Sequence, residues 1–474
     1  MAASSASRTL GRHALVIGGS MAGLCAARVL SERFERVTLL ERDPLPDSME
    51  PRKGVPQGRH LHGLLRGGED MLTQWFPELV PALLAAGAVR LTFGQDFRWF
   101  HFGAWKIHAP SGVEALGLSR PLLEGTVRRF VFALPNVQRR DECDVLGLTM
   151  DPERKRVTGA VVRARGAHTR EETLEADLVV DTSGRGSQTP KWLEGLGRTR
   201  PPETTVRVDV GYASRIYRRP PEGSVPWKAC YVLGQSPESR RLGVIFPIEG
   251  GRWISVVAGL LGDHPPSDEA GFAAYARALP HPAIARALER AEPLSDIMLY
   301  KFPAHQRRHY ERLRDMPDGL VVLGDAYCSF NPIYGQGMTC AALGARTLAG
   351  ALEAHGGKEG FSARFQRDLA RAMDGPWMMS TGEDFRYPEV QGDRPLINPV
   401  MQWFTAQVHQ ACARDPGVAR DFYRAMNMLT PVSALLRPGF ALRVLRSARA
   451  PLPVDALDQG IPAPAKAPAN SNAA

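Results

Sequence analysis

The sequence predicts an α/β fold: a Rossmann-like nucleotide-binding domain with an inserted antiparallel-sheet domain and a mostly helical C-terminal region. Three observations lead to this prediction. Residues 13 to 43 alternate strand, helix and strand, and residues 204 to 262 contain successive strands with alternating apolar residues. Residues 319 to 324 form a short apolar run that is typical of a buried parallel strand. The chain is therefore expected to leave its first domain and return to it.

Length and composition argue against several classes of protein. The 474 residues exceed what one compact core usually holds, so we expect two closely joined domains. No stretch approaches about 18 uninterrupted apolar residues, so we expect no transmembrane segment. The net charge of +9, from 59 Lys and Arg against 50 Asp and Glu, is spread along the chain. Dispersed charge argues against a nucleic-acid partner.

The cysteines and the N-terminus indicate the compartment. The 6 cysteines include no C-x-x-C pair and no histidine at metal-ligand spacing. We therefore expect neither a disulfide framework nor a metal site. The first ten residues contain no apolar signal region. These features favour a cytoplasmic protein.

A glycine-rich turn follows the first predicted strand and opens a helix; its sequence is Gly18-Gly19-Ser20-Met21-Ala22-Gly23. Gly18 permits a tight turn, Ser20 marks where the backbone can approach a pyrophosphate, and Gly23 lets helix and strand pack closely. The second strand ends in Glu41, which is spaced to accept hydrogen bonds from an adenosine ribose, and Arg42 beside it is a further candidate. The pattern predicts a dinucleotide site and does not choose between FAD and NAD.

A second glycine motif decides the cofactor. It runs from an apolar strand through Gly324-Asp325-Ala326 to Pro332-Ile333-Tyr334-Gly335-Gln336-Gly337-Met338. This segment resembles the strand-GDA-loop-P-x-x-G-x-G-helix segment of the class A FAD-dependent monooxygenases, which share the para-hydroxybenzoate hydroxylase fold. The resemblance implies FAD, with Asp325 on the ribityl chain. It also implies that the isoalloxazine ring is covered by Pro332, Gly335, Gln336, Gly337 and Met338. A helix N-terminus there favours negative charge on the reduced ring.

The stretch Gly54-Val55-Pro56-Gln57-Gly58-Arg59-His60-Leu61-His62 narrows the resemblance. It is similar to a stretch of a bacterial secondary-metabolism branch that includes the polyene epoxidases of polyether biosynthesis. The resemblance places it against the cofactor, so Arg52, Gln57 and Arg59 are candidates for phosphate or flavin contacts. His60 and His62 are interpreted as structural, because no third metal ligand accompanies them.

Two other segments resemble the same superfamily, over roughly residues 13 to 385. Ser119-Arg120-Pro121 opens a helix where the family's arginine reaches the cofactor, which makes Arg120 a candidate. Asp181-Thr182-Ser183-Gly184 is similar to the family's Asp-Gly segment between the flavin and nicotinamide sites. The departure from Asp-Gly argues against direct NAD(P)H docking at this point.

The resemblance implies an FAD-dependent monooxygenase in which a flavin C4a-hydroperoxide, formed with O2, transfers one oxygen atom to an electron-rich carbon. Only one dinucleotide fingerprint is present, so electrons come from transiently bound NAD(P)H or from an external reductase. The predicted reaction is epoxidation of an alkene in a polyene or polyketide-type secondary metabolite. An aromatic hydroxylase, a flavin-dependent prenyl reductase, a halogenase and a non-enzymatic flavin-binding protein remain alternatives. A carrier protein is a further candidate partner, and no catalytic side chain is identified.

An aromatic stretch is either a candidate substrate wall or part of the packed core. Interpreted as one strand, it places Phe97, Trp99, His101 and Trp105 on the same face, where they would suit an apolar small-molecule substrate.

These assignments divide the chain into segments. The FAD-binding domain is predicted over residues 1–90, 119–203 and 318–385, the substrate domain over 91–118 and 204–317, and the helical C-terminal region over 386–450. A helix is expected near residues 268 to 291, and a hairpin turn at Glu249-Gly250-Gly251. The Pro- and Ala-rich tail, residues 451–474, is expected to be disordered.

Overall fold

A computed structural model describes residues 9–52, 54–166 and 169–453 of the chain. Most of the tail predicted to be disordered therefore lies outside the described residues. The strands are β1 (Gly11–Ile17), β2 (Phe34–Leu40), β3 (Val89–Thr92), β4 (Phe97–His101), β5 (Ala104–Trp105), β6 (Glu114–Gly117), β7 (Val137–Arg140), β8 (Cys143–Met150), β9 (Val157–Ala164), β10 (Glu171–Glu175), β11 (Leu178–Asp181), β12 (Glu203–Arg218), β13 (Ala229–Leu233), β14 (Arg241–Ile248), β15 (Arg252–Gly259), β16 (Met298–Arg308), β17 (Leu320–Val322) and β18 (Cys328–Ser329). The helices are α1 (Met21–Leu30), α2 (Arg66–Trp75), α3 (Leu79–Ala85), α4 (Arg120–Phe132), α5 (Thr189–Gly195), α6 (Glu269–Arg277), α7 (Ala283–Leu288), α8 (Gly337–His355), α9 (Phe361–Asp384), α10 (Asn398–Ala411), α11 (Pro416–Met426) and α12 (Pro438–Ser447).

A five-stranded sheet in the order β17-β11-β1-β2-β7 is parallel throughout. Its central strands are short apolar runs because helices cover both faces. The motif helices α1 and α8 pack against each other on this sheet. The strand β17 returns beside β11, about 140 residues later in the chain. The predicted Rossmann-like domain and its late return strand are confirmed.

The inserted region forms an eight-stranded sheet in the order β18-β16-β12-β15-β14-β13-β4-β5. It is antiparallel except where β13 pairs parallel with β4. The hairpin between β14 and β15 turns at Gly250 and Gly251, whose positive φ angles of 72° and 65° suit glycine. One face packs against the C-terminal helices, and the other packs against α6 and α7.

Two details differ from the sequence-based expectation. The helix expected near residues 268 to 291 is divided into α6 and α7, because Pro280 and Pro282 interrupt it. The interpretation of residues 97 to 105 as one strand was wrong. The chain reverses at Phe102 and Gly103, whose φ angles are 54° and 72°, so β4 and β5 form a hairpin in which Phe100 pairs with Trp105.

The C-terminal region is mostly helical, as predicted, and α9 to α12 cover one face of the eight-stranded sheet. Their apolar side chains share a core with β4, β12, β14 and β15. Over the described ranges, the helices that are long enough to cross a bilayer are too polar to do so.

Candidate dinucleotide site and adjoining cavity

The first glycine motif is held together by two close backbone approaches. Gly18 has φ +107°, and a Cβ there would lie 2.7 Å from the carbonyl oxygen of Thr182. A Cβ at Gly23 would lie 1.8 Å from the Gly18 carbonyl oxygen. Ser20, the N-cap of α1, makes no side-chain capping hydrogen bond. The first turn of α1 therefore offers backbone N–H groups to an anion.

Glu41 lies at the end of β2, next to this turn. Its carboxylate accepts hydrogen bonds from the backbone N–H of Gly19 at 2.8 Å and of Asp43 at 3.2 Å. Arg42 is exposed, and its Nε lies 3.4 Å from the Asp43 carboxylate. The structure thus brings Glu41 to the glycine turn, whereas Arg42 faces outward.

Glu124 on α4 is a buried carboxylate that the sequence analysis missed. It accepts hydrogen bonds from Arg52 at 2.6 Å, from Arg120 at 2.9 Å and from the Ser20 hydroxyl at 3.0 Å. Arg52 Nη1 also lies 3.6 Å from Glu41. Burial raises the pKa of Glu124, but the charges of Arg120 and Arg52 outweigh it and lower the pKa to about 2. The carboxylate is therefore ionised and holds both arginines at the turn.

One of the two arginine contacts of Glu124 could have been predicted from the sequence. Arg120 and Glu124 are four residues apart on one helix, the spacing at which oppositely charged side chains meet. Arg52 is 72 residues from Glu124, and the pairing of the two depends on tertiary structure. Within the described residues, Arg52 Nη1 is buried without a hydrogen-bond partner. This nitrogen can donate to a ligand.

The second motif meets the first through α1. A Cβ at Gly324 would lie 2.6 Å from the Cβ of Ala22. The next residue, Asp325, has an accessible side chain although protein surrounds it, as expected for a group that faces an interior cleft. Burial raises the pKa of Asp325, and the charges of Arg120 and Arg185 oppose this shift. The two motifs therefore lie next to each other.

The loop after β18 carries the rest of the second motif. Pro332–Tyr334 forms a short 3-10 turn, Gly335 has φ +64°, and α8 begins at Gly337 with Met338 buried behind it. A Cβ at Gly63 would lie 3.9 Å from the Cα of Gly335. The segment that follows the predicted epoxidase-like stretch therefore lies against this loop.

The residues of the stretch from Gly54 to His62 differ in how closely they approach the site. Gly58 lies on a short 3-10 turn, and a Cβ there would lie 3.9 Å from Cγ of Arg120. Gln57 is half-buried and Arg59 is exposed. The Nδ1 atom of His60 lies 2.8 Å from the Ser214 hydroxyl. The structure thus brings Arg52 and Arg120 together and leaves Arg59 at the surface.

Asp181 is held by its own loop. Its buried carboxylate accepts hydrogen bonds from the hydroxyls of Ser183 at 2.6 Å, Ser187 at 2.5 Å and Thr189 at 2.6 Å. These bonds fix the loop that packs against Gly18. They give the Asp-Thr-Ser-Gly segment a structural role.

A cavity of about 420 Å³ adjoins the second motif. Its walls are mostly apolar, and the loop from Pro332 to Gln336 forms part of them. The residues lining it from the sheet include Phe97, Trp99, His101, Tyr231, Val244 and Phe246, and those from α9 to α11 and the segment after α9 include Met378, Phe385, Asn398, Met401, His409, Phe422 and Met426. Trp105 packs with Phe100 and Trp227 in the core on the other face of the sheet. Three of the four predicted wall residues therefore lie at the cavity.

The described residues can hold a dinucleotide next to a small apolar ligand. The α1 turn suits phosphates, as does Arg52, whose Nη1 makes an ion pair with Glu41 but no hydrogen bond to the described residues, and Glu41 is placed for a ribose. The Oε1 atom of Gln336 is buried without a hydrogen-bond partner in the described part of the chain, and its side chain lines the cavity. It can accept a hydrogen bond from a ring bound against the loop.

The chain is 35% identical over 438 residues to Protein Rv3254 of Mycobacterium tuberculosis (strain ATCC 25618 / H37Rv), covering 88% of this chain and 90% of that protein. A scan against models of protein families found no match.

Several solved structures have the same architecture. The flavin-dependent brominase Bmp2 superposes with a TM-score of 0.65 at 14% identity, covering 92% of this chain and 98% of that one. The p-nitrophenol 4-monooxygenase PnpA from Pseudomonas putida DLL-E4 gives 0.62 at 16% identity, with 90% and 99% covered. The flavin-dependent halogenase CmlS gives 0.58 at 17% identity, with 88% and 77% covered. The fold predicted from the two glycine motifs is therefore confirmed.

Proposed function

Since the chain belongs to the family of Protein Rv3254 of Mycobacterium tuberculosis and has the fold of flavin-dependent monooxygenases and halogenases, we propose that it is an FAD-dependent monooxygenase. One observation carries this proposal. The loop Pro332 to Gln336 belongs to a motif that lies against the first glycine motif and also forms a wall of the apolar cavity. A flavin bound along this loop would meet a substrate in the cavity.

The proposed site assigns each part of FAD to residues of this chain. The turn from Gly18 to Gly23 takes the pyrophosphate, and Glu41 takes the ribose. Arg52 and Arg120 lie closest to the turn, while Gln57, Arg59 and Arg42 are outer candidates. Asp325 takes the ribityl chain, and the ring lies along the loop that ends at Met338. Bound FAD supplies oxygen activation, with electrons from NAD(P)H or an external reductase.

The chain's own groups position the substrate and exclude water. The cavity is walled by aromatic and aliphatic side chains, which favour an apolar guest over water. Tyr334 lines the cavity, and its hydroxyl donates to the Asp384 carboxylate at 2.7 Å, which fixes the phenol in place. Burial raises the pKa of Tyr334 well above its usual range, so the phenol keeps its proton.

The proposed reaction is epoxidation of an alkene in a polyene or polyketide-type molecule. The stretch from Gly54 to His62 supports it by resemblance, and the apolar walls suit such a substrate. Epoxidation of an alkene needs no general base, and none is required of these walls. Aromatic hydroxylation is the second candidate, because it benefits from a group that accepts the phenol proton. Two neutral histidines, His101 and His409, line the cavity.

The proposal is tested with purified, FAD-loaded protein. Its flavin absorption is followed during NADPH addition, with and without a polyene or phenolic substrate, and products are analysed after turnover in isotopically labelled O2. Incorporation of one labelled oxygen atom supports the monooxygenase. Saturated product formed without oxygen would indicate a prenyl reductase, and halogenated product with added halide would indicate a halogenase. Bound FAD without O2 consumption would contradict the proposed enzyme and would favour a non-enzymatic flavin-binding protein.

A further inference from the structure

Two histidines from distant parts of the chain meet at the cavity wall. His101 ends β4, His409 lies on α10, and their ring centroids are 4.4 Å apart in an edge-to-face arrangement. His101 is 3% exposed and His409 is 6% exposed, and both line the cavity. Among the described residues, the Nδ1 atom of each ring is buried with no hydrogen-bond partner.

These rings are neutral. Burial first, and then the charge of Lys106, lowers the pKa of both histidines well below the usual value. A neutral imidazole presents one donor and one acceptor, so an unpartnered buried nitrogen costs free energy unless a ligand or a water satisfies it. The two rings adjoin each other in the wall of a mostly apolar cavity, which makes the pair a candidate polar subsite.

The surroundings of the pair are positively charged. Lys106 is buried, its Nζ donates to the backbone carbonyl of His409 at 2.7 Å, and it lies 5.9 Å from the Trp99 ring. Arg386 also acts on both histidines, although Glu383 pairs with it at 2.7 Å. These charges favour a ligand group whose oxygen carries partial negative charge.

We propose that the His101–His409 pair binds the hydroxyl group of an otherwise apolar substrate. A hydroxyl has one proton and two lone pairs, so it can accept from the N–H of one ring and donate to the bare nitrogen of the other. The nearby Lys106 stabilises the partial negative charge on the hydroxyl oxygen. A phenol and an aliphatic alcohol share this chemistry. The inference rests on the proposed function in that this ligand is the molecule that is oxygenated in the cavity.

The test compares probes that differ only in the hydroxyl. The FAD-loaded protein is titrated calorimetrically with 4-propylphenol and 4-propylanisole, and with geraniol and its methyl ether. Wild type is expected to bind at least one hydroxyl compound about tenfold or more tightly than its ether. Both His101→Phe and His409→Phe remove that preference and keep ether binding, because phenyl preserves the volume. Which pair shows the preference identifies a phenol or an alcohol.

Controls separate this subsite from general packing. Val244→Ala changes an apolar wall residue and should weaken hydroxyl and ether binding alike. His409→Gln provides a second variant in case the phenylalanine variants do not fold. Equal wild-type affinity for hydroxyl and ether, or tighter binding of 4-propylbenzoate than of 4-propylphenol, would overturn the inference. If such protein still binds FAD and oxygenates a substrate, the proposed function stands and only the hydroxyl subsite fails.

Discussion

The Tyr334 hydroxyl donates a hydrogen bond to the Asp384 carboxylate over 2.7 Å, which ties the cavity loop to the C-terminal end of α9. Asp384 is fully buried and also lies 2.5 Å from Nε2 of His305 and 3.2 Å from the amide nitrogen of Asn331. Three donors on one buried carboxylate make this a charge-assisted network. The loop along which a flavin is proposed to bind is therefore positioned from outside the motif.

Replacing Asp384 should loosen this loop. Asp384→Asn removes the charge that the three donors share, so we expect the free energy of unfolding to fall by about 1.5 to 3 kcal/mol. Tyr334→Phe removes one donor and should cost about 1 kcal/mol. Urea unfolding of both variants measures the difference. Equal stability of Asp384→Asn and wild type would contradict the network.

We expect the Gly18 turn to be required for cofactor binding. Gly18→Val combines a left-handed backbone with a Cβ 2.7 Å from a carbonyl oxygen, so it should abolish FAD binding. The measurement is flavin absorption of the purified protein, with circular dichroism to show that the chain is folded. Gly186→Ala is the matched control, because a Cβ there meets no atom within 4 Å. Stoichiometric FAD in the folded Gly18 variant would refute the assignment.

The stability contributed by Glu124 should depend on pH. Its folded pKa, about 2, lies below the ordinary value of 4.5, so the contribution is complete above about pH 4.5 and is lost as pH falls toward 2. At neutral pH, Glu124→Gln should cost about 3 to 5 kcal/mol, because Arg52 and Arg120 lose a buried partner. Denaturant unfolding of both proteins between pH 7 and acid conditions checks this. The exposed Glu289→Gln is the control. If Glu124→Gln lost the same free energy of unfolding at every pH, the predicted lowering of the Glu124 pKa would be contradicted.

His60 should matter for stability and little for the cofactor. His60→Ala loses the contact with the Ser214 hydroxyl and the edge-to-face contact with Tyr212, so the free energy of unfolding should fall by about 1 to 3 kcal/mol. FAD content per chain, measured by absorption, should remain stoichiometric. Colourless but folded His60→Ala protein would show that this histidine holds the cofactor.

Substitutions of the two tryptophans of the β4–β5 hairpin should change different properties, ligand binding at Trp99 and stability at Trp105. Trp99 lines the cavity, so Trp99→Phe should raise the dissociation constant of an apolar probe such as 4-propylanisole. Trp105 is buried in the opposite core, so Trp105→Phe should lower the free energy of unfolding by about 1 kcal/mol and leave that constant unchanged. Calorimetric titration and denaturant unfolding provide the two readouts. A binding defect in the Trp105 variant would contradict the placement.

Local backbone requirements made the two motifs predictable. At Gly18 and Gly23 neighbouring backbone atoms leave no room for a Cβ. Glycine at these two positions of the sequence therefore predicts the geometry of the turn. Gly335 in the second motif has space for a Cβ, and there the left-handed φ of +64° favours glycine. The parallel strands could be predicted because burial on both faces demands uninterrupted apolar residues.

Contacts between distant residues could not be predicted. Arg52 and Glu124, or His101 and His409, are brought together only by tertiary packing, and neither pair has a spacing that marks it. Trp105 was misplaced because the reversal at Phe102 depends on a left-handed non-glycine residue, for which the sequence carries little signal. The roles of the individual cofactor residues remain predictions.

The cavity draws many of its lining residues from the chain between positions 377 and 435, whereas both glycine motifs end by Met338. A large part of the cavity wall is thus encoded in a stretch of the chain that is separate from both glycine motifs. Replacing this later stretch with the corresponding stretch of a relative would therefore change the cavity wall and leave both glycine motifs unchanged.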